Sequence, residues 1–447
     1  MSSDTESTRI PEGMSLPNRL SDINPEFLTQ LLQARGLLEP DNAVASVEEA
    51  GVGMTAGYFS DIKKIHCQFS NTTDCPAHFV AKAWPDFEML PEDAIGDMFI
   101  KDIKGYMFPS ERFYPRPRVF LADFDLDGNR YGLIMEDVDQ FADQKVHESE
   151  LDLDEVLQMI PGLVDCALAW EGCDGGEQAE TLSAIGVQHW GSSENLALYK
   201  EVMPAGAKLF DKALSMEKSS LTGGTSWLSY FGTNVSELFT RKLDAHFARI
   251  DPEQGATCTL SHGDLRGDNL FFCPVTKAQP QGWLTIDFQL LFTGPVPSDL
   301  AYLMSSGSVL PSVYEKSNRD LILKTFFDLY TSKTKRYPNY SFEQFEAEFS
   351  AMVTVMYIYY IGMGGALWRA AAFENEQPGR IELGSEPFTE ADLSAEELRK
   401  RMWWRKTILN NQVLFHDLGL VELWKTMPDN EGGMGDWVEL PPHLASS

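Results

Sequence analysis

Residues 260–272 read Leu260-Ser261-His262-Gly263-Asp264-Leu265-Arg266-Gly267-Asp268-Asn269-Leu270-Phe271-Phe272, and residues 284–289 read Leu284-Thr285-Ile286-Asp287-Phe288-Gln289. Both stretches are short apolar runs that deliver polar side chains at their ends. Singly, Asp264, Asn269 and Asp287 are what turns ordinarily hold: a turn aspartate, an Asx cap and a strand-end carboxylate. Together, a loop aspartate, an asparagine five residues on and an aspartate closing the next apolar strand can converge on one edge. His262 is expected to brace the loop. Arg266 is either a solvated loop arginine or a contact to substrate or phosphate, and Asp299 a helix cap or loop anchor.

Phosphoryl transfer from ATP needs that combination. A carboxylate accepts or orients the proton of the attacking hydroxyl, oxygen ligands hold Mg²⁺ against the β- and γ-phosphates, and a cation steadies the α/β-phosphates. Mg²⁺ takes carboxylate and amide oxygens, usually few of them from protein. Asp264 suits the first task, and Asn269 and Asp287 the second.

Upstream, the periodicity divides the chain. Asn24-Pro25 reads as a helix N-cap and first position, followed by Phe27, Leu28, Leu31 and Leu32 at helical spacing and a stop at Gly36. Val44–Ala50, Tyr58–Phe69 and His78–Trp84 read as strands, joined by a glycine-spaced turn (Gly51, Gly53, Gly57) and a turn at 71–76. A helix is expected over Pro91–Phe108, then a hairpin of Arg118–Phe124 and Arg130–Met135 turning through Asp127-Gly128-Asn129. Beyond about Leu153 helical periodicity dominates, apart from the β island around Thr259–Gln289. Three regions follow: 1–40, a tail and short helix; 41–138, a β-rich lobe; and 139–447, a helical lobe carrying the 260–289 motifs.

The HGDxxxxN loop followed by an IDFQ aspartate resembles the kinase-like small-molecule phosphotransferases, the superfamily of aminoglycoside phosphotransferases and choline kinases. The Asp-Phe-Gln ending, with Ser298-Asp299-Leu300-Ala301 after it, is most similar to the ecdysteroid-kinase-like (CHK-type) branch. Phe79-Val80-Ala81-Lys82-Ala83-Trp84 resembles the lysine strand, and the resemblance implies that Lys82 contacts the α/β-phosphates. Where the family's next helix carries Phe-x-x-Glu and a tyrosine four residues on, this chain has Phe99-Ile100-Lys101-Asp102 and Tyr106, so the partner of Lys82 would be one methylene shorter. Leu133-Ile134-Met135-Glu136-Asp137 resembles the hinge whose backbone binds adenine, and Gly53 and Gly57 fall in the turn that would cover the phosphates. The implied fold is α+β, a bilobal protein-kinase-like arrangement with a small antiparallel β lobe and a larger, mostly helical lobe. His-Gly-Asp in place of His-Arg-Asp, and Gln289 where a protein kinase has glycine, point away from protein kinases.

Composition bounds the partners. The chain has 447 residues, 43% of them hydrophobic, enough for a substantial core. Asp and Glu number 67 against 36 Lys and Arg, a formal charge of −31, so nucleic-acid or anionic-membrane binding through a basic face is not expected. Six cysteines without a CxxC pair fit free thiols in the cytoplasm. His66, Cys67, Cys75 and His78 match no common zinc-finger spacing. Phe349–Trp368 carries no charge and is near bilayer-spanning length, but its glycines and hydroxyls read as a helix buried in the protein. The function expected is an ATP- and Mg²⁺-dependent kinase acting on a small hydroxylated substrate, with catalytic Asp264, nucleotide contacts at Lys82, Asp102, Gly53, Gly57 and Glu136, and metal ligands Asn269 and Asp287. The alternative is a pseudokinase that holds nucleotide without transfer, resting on the substituted Asp102 and the loosely matching glycine turn.

Overall fold

The computed structural model describes residues 8–51, 61–84, 92–125, 130–145, 150–197, 199–200, 242–277, 279–371, 407, 414, 417–420, 423 and 426–428. Along the chain run α1 (Pro25–Ala34), β1 (Val44–Gly51), β2 (Asp61–Phe69), β3 (His78–Ala83), α2 (Glu92–Met107), β4 (Val119–Asp125), β5 (Arg130–Glu136), β6 (Asp143–Gln144), α3 (Leu153–Ala169) and α4 (Gly176–Ser183). There follow α5 (Leu243–Ala248), β7 (Thr259–Ser261), β8 (Leu270–Phe272), β9 (Trp283–Thr285), β10 (Phe292–Gly294), α6 (Ser298–Ser305), α7 (Lys316–Thr331) and α8 (Phe342–Ala371). The class is α+β, as the sequence implied. The chain forms two compact units, one of residues 1–146, 158–188 and 260–292, the other of 147–157, 189–259 and 293–447. The motif-bearing segment 260–292 therefore sits in the same unit as the N-terminal sheet, where the sequence had grouped it with the helices.

In the first unit, five strands make an antiparallel sheet in the order β1-β2-β3-β5-β4. Side chains alternate between faces along a strand. Phe79 and Ala81 of β3, Phe120 and Leu121 of β4 and Ile134 of β5 join one apolar cluster with Leu28, Leu31 and Leu32 of α1. That helix starts as expected, with Pro25 at its first turn and Asn24 accepting the Phe27 N–H at 3.0 Å. Lys82 falls on the opposite face of β3, aligned with Leu133 of β5. A three-stranded sheet, β6-β8-β9, carries the second motif: Asp143 aligns with Phe272, and Leu270 with Thr285. The Gln144 side chain donates to the Asp268 carbonyl at 2.7 Å, pinning the segment after β5 to the loop before β8.

The second unit is described by its helices. From Phe349 to Ile358 every residue of α8 is buried, packed among α5, α6 and α7. Glu348, next to this charge-free run, accepts from the Thr257 amide (2.8 Å), the Thr257 hydroxyl (2.6 Å), the Tyr340 hydroxyl (2.5 Å) and Gln344 (3.1 Å). Among the described residues, no helix is long and apolar enough to cross a membrane.

Candidate active site

Lys82 is almost wholly buried on β3. Its Nζ lies 3.2 Å from Asp102 Oδ2 on α2 and 3.4 Å from Asp287 Oδ1 after β9, residues 20 and 205 positions away in the chain. Burial alone would depress the lysine pKa; the carboxylates of Asp102 and Asp287 outweigh it and hold the pKa above its usual value, so the ammonium persists. The one-methylene deficit of Asp102 is thus absorbed by the packing of α2. Gly105 is part of the reason: a Cβ there would stand 2.4 Å from Phe288 Cβ, so only glycine admits this approach.

Asp102 is also the acceptor for two further donors. The Tyr131 hydroxyl on β5 reaches Oδ2 at 2.7 Å, and the Phe288 backbone N–H reaches Oδ1 at 3.0 Å. Asp287, the next site residue, has φ 72°, the sole positive φ of a non-glycine among the described residues. Its N–H donates to Tyr106 Oη at 3.2 Å, and Gln289 Nε2 donates to its Oδ2 at 3.2 Å. Burial pushes the Asp287 pKa upward; Lys82 opposes the shift, while Asp102 and Asp264 reinforce it. The Phe288 ring is enclosed by Tyr106, Phe113, Tyr114 and His262.

The loop 262–269 is locked to the same place. Gly263 has φ 85°, and a Cβ on it would fall 1.8 Å from the Leu290 carbonyl oxygen, so this glycine is required twice over. His262 is fully buried. Its Nδ1 accepts the Asp264 N–H at 3.3 Å, which puts the ring proton on Nε2, 3.1 Å from the Ile286 carbonyl and 2.9 Å from the Thr285 hydroxyl. Burial drives its pKa down to about 4, so the imidazole is neutral, a brace between loop and β9. Asn269 donates its amide N–H groups to the Asp264 carbonyl (2.9 Å) and Oδ2 (3.1 Å), and this leaves its Oδ1 as the hard-oxygen donor. Arg266 Nε lies 3.3 Å from Asp264 Oδ1, and Arg266 Nη1 lies 3.9 Å from Asp268 Oδ2.

Five of the expected residues therefore meet: Lys82, Asp102 and Asp287 directly, Asp264 and Asn269 through one loop joined to Asp287 by the Ile286 N–H to Asn269 carbonyl bond at 3.1 Å. Glu136 ends β5, aligned with Phe79, three positions along the ladder from the Lys82–Leu133 pair, or about 10 Å; half-burial raises its pKa and Arg118 offsets part of the rise. Gly53 and Gly57 lie outside the described residues. Tyr131 went unnoticed in the sequence because a tyrosine in an apolar strand looks like core. Period two puts it on the same face of β5 as Leu133, but the alignment of Leu133 with Lys82 is set only by the folded sheet.

The donor set suits a small hard cation. Three carboxylates (Asp102, Asp264, Asp287) face two cations (Lys82, Arg266), and amide and carboxylate oxygens come from Asn269 and Asp287. Among the described residues no group of three or more His, Cys, Asp or Glu side chains is placed to hold a metal ion.

A buried lysine held between a helix acid and a post-strand aspartate, beside an HGD loop, makes this α+β protein one that resembles kinase-like small-molecule phosphotransferases. Residues 178–336 match the ecdysteroid kinase-like family, a span that takes in the loop 262–269 and Asp287. No curated protein matches the chain. Among solved structures, it is similar to the GDP complex of an aminoglycoside 2′-phosphotransferase-IIIa variant (14% identity, 90% of this chain and 99% of that one, TM-score 0.44). It is also similar to an amicoumacin kinase in complex with AMP-PNP and Ca²⁺ (12%, 85% and 92%, 0.43), and to the choline kinase LicA from Streptococcus pneumoniae (12%, 87% and 98%, 0.39). At such identities, what those proteins bind is their own property.

Proposed function

We propose that the protein is an ATP- and Mg²⁺-dependent kinase that transfers the γ-phosphoryl group to a hydroxyl of a small molecule. The observation that carries this reading is the Lys82 ammonium within 3.4 Å of both Asp102 and Asp287. It also removes one of the two grounds for a nucleotide-binding protein without transfer, since the shorter acid does reach the lysine.

In this reading Lys82 contacts the α/β-phosphates, and the end of β5 at Glu136 offers backbone groups to adenine. Asn269 Oδ1 and the Asp287 carboxylate would hold Mg²⁺, which would supply neutralisation of phosphate charge during the transfer. Asp264 takes the proton of the acceptor hydroxyl as its oxygen bonds to the γ-phosphorus; the bond from that phosphorus to the β–γ bridging oxygen breaks, and ADP leaves. Asn269 and Arg266 hold the Asp264 carboxylate in orientation through its two oxygens. The charge of −31 supports a small-molecule acceptor rather than a nucleic acid or an anionic membrane, and the sparse cysteines support the cytoplasm.

The test is purified protein with Mg²⁺–ATP and a panel of alcohols, sterols, amino alcohols and sugars, followed by mass spectrometry for the gain of one phosphate. Phosphorylated product with an acceptor is expected. Nucleotide binding with no product on any acceptor would instead favour the transfer-deficient alternative.

A further inference from the structure

Two successive backbone N–H groups after β9 are received by side chains of one helix. Asp287 donates to Tyr106 Oη at 3.2 Å and Phe288 to Asp102 Oδ1 at 3.0 Å, and the two acceptors stand four residues apart on one face of α2. Between those amides the backbone takes a left-handed conformation that a side chain disfavours, so something must hold it there. Asp102 can serve as an acceptor of fixed direction only if its own rotation is set. Its Oδ2 is bound at 2.7 Å by the Tyr131 hydroxyl, whose ring is in turn packed on Phe99 at 4.4 Å between centroids. Oδ1 is thereby turned to the turn's amide while Lys82 keeps Oδ2.

We propose that Tyr131, with Tyr106, is a positioning residue for the metal–nucleotide site: the two hydroxyls and Asp102 set the 287–288 turn in its left-handed form before any cation arrives. This rests on the reading of Asp287 as a metal ligand. It also gives the aspartate at 102 a reason. A glutamate would carry its carboxylate one methylene further, into space already occupied by the Tyr131 oxygen and the Phe288 amide. The Tyr131 hydroxyl thus belongs with the shorter acid.

Tyr131→Phe and Tyr106→Phe each delete one oxygen. Binding of ATP to the full chain is measured by calorimetry across a Mg²⁺ titration and again in EDTA, without acceptor, together with Mn²⁺ binding followed by electron paramagnetic resonance. Each variant is expected to need about tenfold more Mg²⁺ for half-maximal enhancement of ATP binding, with affinity in EDTA unchanged within about twofold. A purely structural role would lower both affinities together, and that result, or wild-type metal dependence in both variants, overturns the proposal. Should Tyr131→Phe fail to fold, Tyr106→Phe carries the test. A wild-type chain whose ATP binding ignores Mg²⁺ and Mn²⁺ would strike at the Asp287 assignment itself, an outcome distinct from failure of the tyrosine variants alone.

Discussion

Asp264 has each carboxylate oxygen spoken for, Oδ1 facing Arg266 at 3.3 Å and Oδ2 accepting from Asn269 at 3.1 Å. Asparagine has nearly the same shape but cannot take a proton from an alcohol. Asp264→Asn should therefore cut turnover by about 10²- to 10⁴-fold while nucleotide affinity stays within about threefold, read by steady-state kinetics beside calorimetry. Gly263→Ala is a steric test at the next position. Its methyl would meet the Leu290 carbonyl at 1.8 Å, so a loss of about 3 kcal/mol or more in urea unfolding is expected; an unchanged midpoint would mean the loop and the 288–291 turn do not touch. His262 gives a pH signature. Its folded pKa of about 4 lies below the unfolded 6.5, so between those values the unfolded chain binds the extra proton. Stability from this group is full above about pH 6.5 and drains away as pH falls towards 4. The difference in unfolding free energy between wild type and His262→Asn should shrink from pH 7 to pH 4.5; a constant difference would show that the ring is not held neutral.

At the scale of elements, Glu348 shows how a charge can sit at the start of a buried helical run. Four donors converge on its carboxylate, and the Thr257 hydroxyl among them accepts in turn from the Val296 N–H at 2.9 Å. Removing the carboxylate strands those donors away from water. Glu348→Ala should cost about 3 kcal/mol by chemical denaturation, whereas Glu346→Ala, an exposed neighbour on the same helix, should cost less than about 0.5. Helices and strands were legible where one periodicity ran unopposed. Asn24-Pro25 opened α1 as read, and β3 and β5 fell within a residue or two of their expected ends, because alternation and capping are local physics. Tyr131 was not legible: in sequence it is one more aromatic in an apolar strand, and only the approach of α2 turns its hydroxyl into a donor for Asp102.

The whole molecule carries a strong negative charge, and that has a bulk consequence. Self-repulsion keeps copies apart at neutral pH and vanishes as the carboxylates titrate, so a solubility minimum is expected close to pH 4.5, measured by turbidity. A minimum far above that value would show that many acidic groups are held protonated. The sequence by itself determined the chemistry on offer here: the residue types in the HGD and IDFQ segments, their spacing, the strand that bears Lys82 and the α+β class, since these depend on local pattern and on what each side chain can do. The tertiary structure alone decided that Asp102 reaches Lys82 and that Asp287 is held left-handed. It also decided that residues 260–292 join the N-terminal sheet in one compact unit. Those outcomes depend on contacts as far as 205 positions apart, such as Lys82 with Asp287, and on gaps left by Gly105 and Gly263. A chain's periodicity carries no record of which distant surface will fill such a gap.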